Sequence, residues 1–129
     1  MKKKIVILAN DTTYTFNLRG AIIKALIKEK YKVYIVAQVL NFKEELENMG
    51  CEIIDISIGR HGTNPFSDLK LLKEYKKIIK EIKPDVVLSF NIKPNVYGGM
   101  ACAKYNIKFM PNITGLGTAL EYPGLMQMF

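Results

Sequence analysis

Residues 4–37, KIVILANDTTYTFNLRGAIIKALIKEKYKVYIVA, decide the fold. After Lys4, residues 5–9 form an unbroken apolar run, the pattern of a strand covered on both faces rather than one with a wet side. Leu18, Ile22, Ala25 and Leu26 then recur at helical spacing, with Lys24, Lys28 and Lys30 on the other side. Thr15 stands where such a helix takes its N-cap. A second apolar run at 32–37 follows at once. Two buried strands joined by a helix are parallel neighbours with a right-handed crossover.

The same alternation continues outward. Asn41 with Glu44 three residues on resembles a capping box, opening a short helix with Phe42, Leu46 and Met49 on its apolar face and Gly50 at its stop. A third strand is predicted at 52–56. Residues 57–63 form the longest irregular stretch. Asn64-Pro65 then reads as N-cap and first-turn proline of a long helix ending at Lys83-Pro84. Its apolar stripe is Leu69, Leu72, Tyr75, Ile79 and Ile82, while Lys70, Lys73, Lys76, Lys77 and Lys80 take the other faces. A strand at 85–90, a small-residue helix at 94–105 and a strand at 108–113 complete the pattern. The expected fold is α/β, a Rossmann-like three-layer sandwich around a parallel sheet of five or more strands ordered 3-2-1-4-5. Residues 1–129 make one domain, in keeping with the length.

Composition narrows the function. Nineteen Lys+Arg against twelve Asp+Glu give a net charge of +7. Such a surface meets phosphorylated substrates, an anionic membrane or nucleic acid, or simply keeps the chain soluble. No window approaches ~18 consecutive apolar residues, so no membrane-spanning helix is expected. The basic and then apolar start stops at Asn10-Asp11, too short for a secretory signal. Cys51 and Cys102 are isolated in apolar segments and read as reduced thiols of a cytoplasmic protein. With His61 they lack metal-ligand spacing, so no metal is expected. Residues 10–16 contain no glycine, which excludes the dinucleotide fingerprint, and no phosphate-cradling Walker loop is present.

In the order 3-2-1-4-5, strands one and four are neighbours whose connections leave on opposite faces. Ligands bind at such a switch point, outside the carboxyl ends of the strands. Asp11, Thr12 and Thr13 from the first loop and Thr114, Gly115 and Gly117 from the last are therefore expected to line one crevice. Lys93-Pro94-Asn95 opens the fourth helix there. With N–H donors starting at Asn95 and the Lys93 ammonium beside them, it is a candidate phosphate or diphosphate site. Arg60 and His61 lie in the loop after strand three, further out on the same edge. Residues 98–103 (GGMACA) let their helix lie close on the sheet. No catalytic triad can be assembled, and no catalytic residue is assigned.

Three segments, RHGTNP at 60–65, SFNIKPNVYG at 89–98 and PNITGLG at 111–117, together resemble the N-terminal half of family-4 glycosyltransferases of GT-B fold. The resemblance is nearest to bacterial enzymes that extend undecaprenyl-diphosphate-linked sugars for capsule, lipopolysaccharide or glycoprotein glycans. It implies the acceptor-binding half of a retaining hexosyltransferase, with a C-terminal donor domain absent from this chain as its partner. It further implies a nucleotide-sugar as co-substrate, no tightly held cofactor and a lipid-linked sugar acceptor. The implied location is the inner face of the cell membrane, with lysine-rich helices resting peripherally on anionic lipid. Arg60, His61 and Asn64 then contact acceptor sugar or phosphate, and Lys93 with Asn95 holds the diphosphate. The first loop departs from the glycine-rich form of many members, and no His follows strand five. The rival readings are half of a GT-B sugar-nucleotide epimerase, which needs an acid/base carboxylate that only Asp11 offers, and a non-catalytic basic module. Nucleic acid is not expected, because the lysine-rich helix offers only Phe66 and Tyr75 as aromatics, both read as core-facing or end-capping.

Overall fold

The computed structural model describes residues 2–56 and 65–112. The readings of Arg60, His61, Asn64, Thr114, Gly115 and Gly117 fall outside the described residues, as does the loop 57–63.

The chain alternates β1 (Lys4–Asp11), α1 (Thr12–Lys28), β2 (Lys32–Gln38), α2 (Lys43–Asn48), β3 (Glu52–Asp55), α3 (Pro65–Ile82), β4 (Val86–Phe90), α4 (Ile92–Tyr105) and β5 (Lys108–Asn112). Every strand pairing is parallel, and the order is β3-β2-β1-β4-β5, as the alternation predicts. The central strand β1 divides the core by the two-residue period of a strand. Val6 and Leu8 join the layer under α3 and α4, with Leu71, Tyr75, Ile79, Ala101 and Cys102. Ile5, Ile7 and Ala9 join the opposite layer under α1 and α2, with Ile23, Leu46 and Phe90. Among the described strands β3 and β5 are outermost and only partly buried, with Met110 49% exposed. Burial is heavy in the inner three strands β2, β1 and β4 and light in the outer two. Pro111 sits on the outer strand β5, where a missing N–H is tolerated.

Local details differ from the sequence pattern for identifiable reasons. β1 runs directly into α1, so Asp11 rather than Thr15 is the N-cap, its Oδ1 accepting from the Tyr14 N–H at 2.8 Å. Thr15 instead donates its hydroxyl to the Asp11 carbonyl at 2.7 Å. α1 also turns a different face inward. Thr12, Thr15 and Ile23 are buried, whereas Leu18 and Ile22 are 62% and 43% exposed. In α3 the same rotation buries Leu71 and leaves Leu69 half exposed. α2 begins one residue later than the capping-box reading, with Phe42 at φ +69° as its N-cap. Asn41 is held elsewhere, by two threonines of α1.

Close packing of α4 depends on Gly98. A Cβ there would fall on the Cδ1 of fully buried Leu8, and one at Gly99 would press the Phe109 ring at 3.1 Å. The small-residue segment therefore serves packing, as its composition suggests.

Candidate functional site

At the switch point the carboxyl ends of β1 and β4 lie side by side, and one side chain ties them. Asn91 Oδ1 accepts the Asn10 N–H at 3.1 Å. Asn91 is also the N-cap of α4, with φ +82° and ψ 161°. That backbone region is essentially confined to glycine, and holding another residue there costs about 1–3 kcal/mol. The strain makes an abrupt strand-to-helix turn at the point where an α/β sheet takes its ligands.

Above this floor is a cleft of about 200 Å³ lined by Ala9, Asn10, Tyr14, Thr15, Leu18, Arg19, Phe90 and Asn91. Among the described lining residues the charged one is Arg19, two turns into α1, whose guanidinium carbon lies 4.2 Å from the centroid of the Phe90 ring. A cation over an aromatic face gains about 0.5–2 kcal/mol according to its exposure. Among the described residues no carboxylate pairs with Arg19. The sequence reading missed this residue. Arg19 falls inside the helical repeat that Leu18 opens and Phe90 inside the strand at 85–90, and only the sheet order brings the two together. A usable signal was present, since Arg19 is one of two arginines among nineteen basic residues and follows β1 closely.

The expected crevice residues divide. Asp11 is 1% exposed, and its carboxylate caps α1. Thr12 is fully buried and ties α1 to the loop after β2. Its Oγ1 donates to the Asn41 carbonyl at 2.7 Å and accepts the Leu40 N–H at 2.9 Å. Thr13 Oγ1 accepts the Asn41 N–H at 3.0 Å, and Phe16 stacks on Phe42 at 4.5 Å between centroids. The polar, glycine-free segment after β1 thus braces two connections.

Lys93 lies on the other side of Asn91, toward α3. α4 starts at Ile92, so Lys93 is inside the first turn rather than before it. The Asn95 N–H is already engaged, donating to the Asn91 carbonyl at 3.0 Å. The first-turn N–H groups ahead of it are those of Ile92 and Lys93, since Pro94 has none. The Asn95 side chain donates to the Asn112 carbonyl at 3.0 Å, tying α4 to β5. The Lys93 ammonium sits 2.9 Å from Asp68 Oδ1, and Tyr97 donates its hydroxyl to Asp68 Oδ2 at 3.0 Å. Together they fasten the start of α3 to α4.

The hydrogen bond from the Lys93 ammonium, helped by a weaker one from the Tyr97 hydroxyl, outweighs desolvation and holds the Asp68 carboxyl below its usual range. A carboxyl whose folded pKa is depressed stabilises the fold above its unfolded value. That contribution disappears as pH falls through the folded value. In an NMR titration the Asp68 carboxyl is expected to titrate below the ~3.9 of an unperturbed aspartate. Lys93→Ala is expected to raise the midpoint. A midpoint indifferent to Lys93→Ala means the two groups are apart in solution.

Neither cysteine is poised for chemistry. Burial pushes the Cys51 and Cys102 thiols up to about 11, so both stay protonated at neutral pH. Among the described residues no three His, Cys, Asp or Glu gather as a cation site, and no helix is long and apolar enough to cross a membrane.

This geometry has counterparts. The fold superposes on Acinetobacter baumannii MurG with a TM-score of 0.68, at 21% identity over 86% of this chain and 35% of that one. It also superposes on a putative UDP-N-acetylglucosamine 2-epimerase from Listeria monocytogenes, with a TM-score of 0.67 at 19% identity over 86% and 30% of the two chains. In sequence the chain is 28% identical over 117 residues to a Campylobacter jejuni protein, N,N'-diacetylbacillosaminyl-diphospho-undecaprenol alpha-1,3-N-acetylgalactosaminyltransferase. That match covers 89% of this chain and 31% of the relative, so the chain spans about a third of the relative's length. Residues 4–127 match the family described as glycosyl transferase 4-like. The chain belongs to that glycosyl transferase 4-like family, with a Rossmann-like α/β fold shared by GT-B glycosyltransferases and epimerases.

Proposed function

We propose that this chain is the acceptor-binding part of a retaining glycosyltransferase, one that moves a sugar from a nucleotide-sugar to a lipid-diphosphate-linked glycan. The observation that carries the reading is the similarity across most of the chain to a transferase whose name gives a diphospho-undecaprenol-linked sugar as its acceptor. In this reading the acceptor diphosphate lies at the carboxyl edge of the sheet, between α1 and the start of α4. Lys93 and Asn95 form one rim, and Arg60, His61 and Asn64 contact the acceptor sugar or phosphate. Thr114, Gly115 and Gly117 border the side where a donor domain closes. The products enter capsule, lipopolysaccharide or glycoprotein glycan assembly at the cytoplasmic face of the membrane. Lysines of α3 rest there against anionic lipid, each worth ~1 kcal/mol near the surface.

The epimerase reading lacks support from the cleft, because none of the described residues lining it is a carboxylate and Asp11, 1% exposed, caps α1. Binding by nucleic acid through α3 is not favoured either. Tyr75 is fully buried in the core; Phe66, 82% exposed rather than core-facing, is a single aromatic.

The test is equilibrium binding to the full chain. A short-chain prenyl-diphosphate-linked N-acetylhexosamine is expected to bind at least about tenfold, or ~1.4 kcal/mol, more tightly than a UDP-sugar. The reverse ranking overturns the acceptor assignment. Association with anionic vesicles is expected to exceed that with neutral ones and to fall with salt.

A further inference from the structure

We infer that Arg19 is the anion-recognition group of the switch-point cleft, and that it takes the phosphate or diphosphate ester of the substrate. The choice of ligand rests on the acceptor reading above; the site itself rests on the structure. Two cations flank the Asn91 turn, and they differ in what they already hold. Lys93 has the Asp68 carboxylate at 2.9 Å. Arg19 has no carboxylate partner among the described residues, and its guanidinium lies over the Phe90 ring. Contact with a ring face steadies the guanidinium and consumes none of its five N–H donors in a hydrogen bond. A planar fork held in this way is pre-organised for two parallel bonds to one phosphate.

The surroundings suit such a ligand. Asn91 spends its Oδ1 on the Asn10 N–H, so its Nδ2 is left as a further donor in the same lining. At about 200 Å³ the cleft is smaller than the ~300–1,000 Å³ usual for small-molecule sites. It accepts a compact anionic group rather than a whole nucleotide. One wall is apolar. Tyr14 and Leu18 line it at 59% and 62% exposure, and Ile22 continues the row along α1 at 43%. An anion site opening onto an apolar strip matches an amphiphile, a phosphate ester of an alcohol rather than free phosphate.

Calorimetric titration of the full chain with inorganic diphosphate and with geranyl diphosphate tests this. Arg19→Gln is expected to weaken both by about tenfold or more, the usual loss for a charge-assisted contact. Arg19→Lys is expected to fall between, keeping the charge without the fork, which guards against a folding defect in the neutral variant. Lys104→Ala, an exposed lysine in the last turn of α4, is expected to bind as the parent does. Tighter binding of geranyl diphosphate than of inorganic diphosphate assigns the anion to a lipid-linked ligand; equal binding assigns it to phosphate alone, and both uphold the site. Parent-like affinity in Arg19→Gln, or no affinity of the parent for either probe, overturns it. Loss of binding in Lys93→Ala with retention in Arg19→Gln defeats the Arg19 assignment and leaves the acceptor reading standing. Arg19-dependent diphosphate binding without binding of a prenyl-diphosphate-linked sugar does the reverse.

Discussion

Gly98→Val is expected to lower stability by about 3 kcal/mol, at the upper end of the usual penalty for overpacking a filled core. The melting temperature should fall by roughly 10 °C for a domain of this size. The cause is contact between two elements. α4 crosses β1 with no room for a side chain, and the added Cβ meets Leu8, itself 0% exposed and walled by the layer under α3 and α4. Leu8 can yield only by displacing its neighbours. Gly98→Ala is expected to cost less, because helix propensity returns about 1 kcal/mol of the steric penalty. Denaturant titrations of the two variants check this. A Gly98→Val protein as stable as the parent means that α4 stands farther from β1 than described.

Thr12→Val should cost about 2–4 kcal/mol, although it exchanges nearly isosteric side chains. The hydroxyl accepts the Leu40 N–H and donates to the Asn41 carbonyl, so its loss strands two backbone groups. Leaving such a group unsatisfied costs about 1–3 kcal/mol each, and the exposure of Leu40 and Asn41 puts both toward the lower end. Thr12→Ser keeps both bonds and is expected to recover most of the loss. Hydrogen exchange at Leu40 and Asn41 gives the local readout. If Thr12→Val unfolds at the parent's denaturant midpoint, water replaces the hydroxyl in the brace.

These two positions also mark where the sequence was informative. The topology was legible because unbroken apolar strands and short connections admit few arrangements, and β1, β2 and β4 carry that signal plainly. Gly98 announced close packing through its small neighbours. Thr12 looked like a ligand contact because a polar residue after a parallel strand usually faces the crevice. Its partner is a backbone segment 28–29 residues away, which no local pattern encodes. The start of α4 was misread by two residues for a similar reason. Proline is favoured in the first helical turn generally, and the positive φ that places Asn91 at the N-cap is a tertiary outcome. Arg19 and Phe90 are 71 positions apart and meet only because β4 is inserted beside β1. The apolar faces of α1 and α3 were each rotated in the reading, because both helices carry more apolar residues than one face can bury.

The left-handed turn at Asn91 has a kinetic consequence. The floor of the cleft is backbone already bent and already tied to β1, so a ligand meeting it need not wait for that turn to form. Encounter and electrostatic steering by the net positive chain then set the rate of arrival. Differences among ligands fall on how long each one stays, and residence time becomes the quantity through which this surface discriminates.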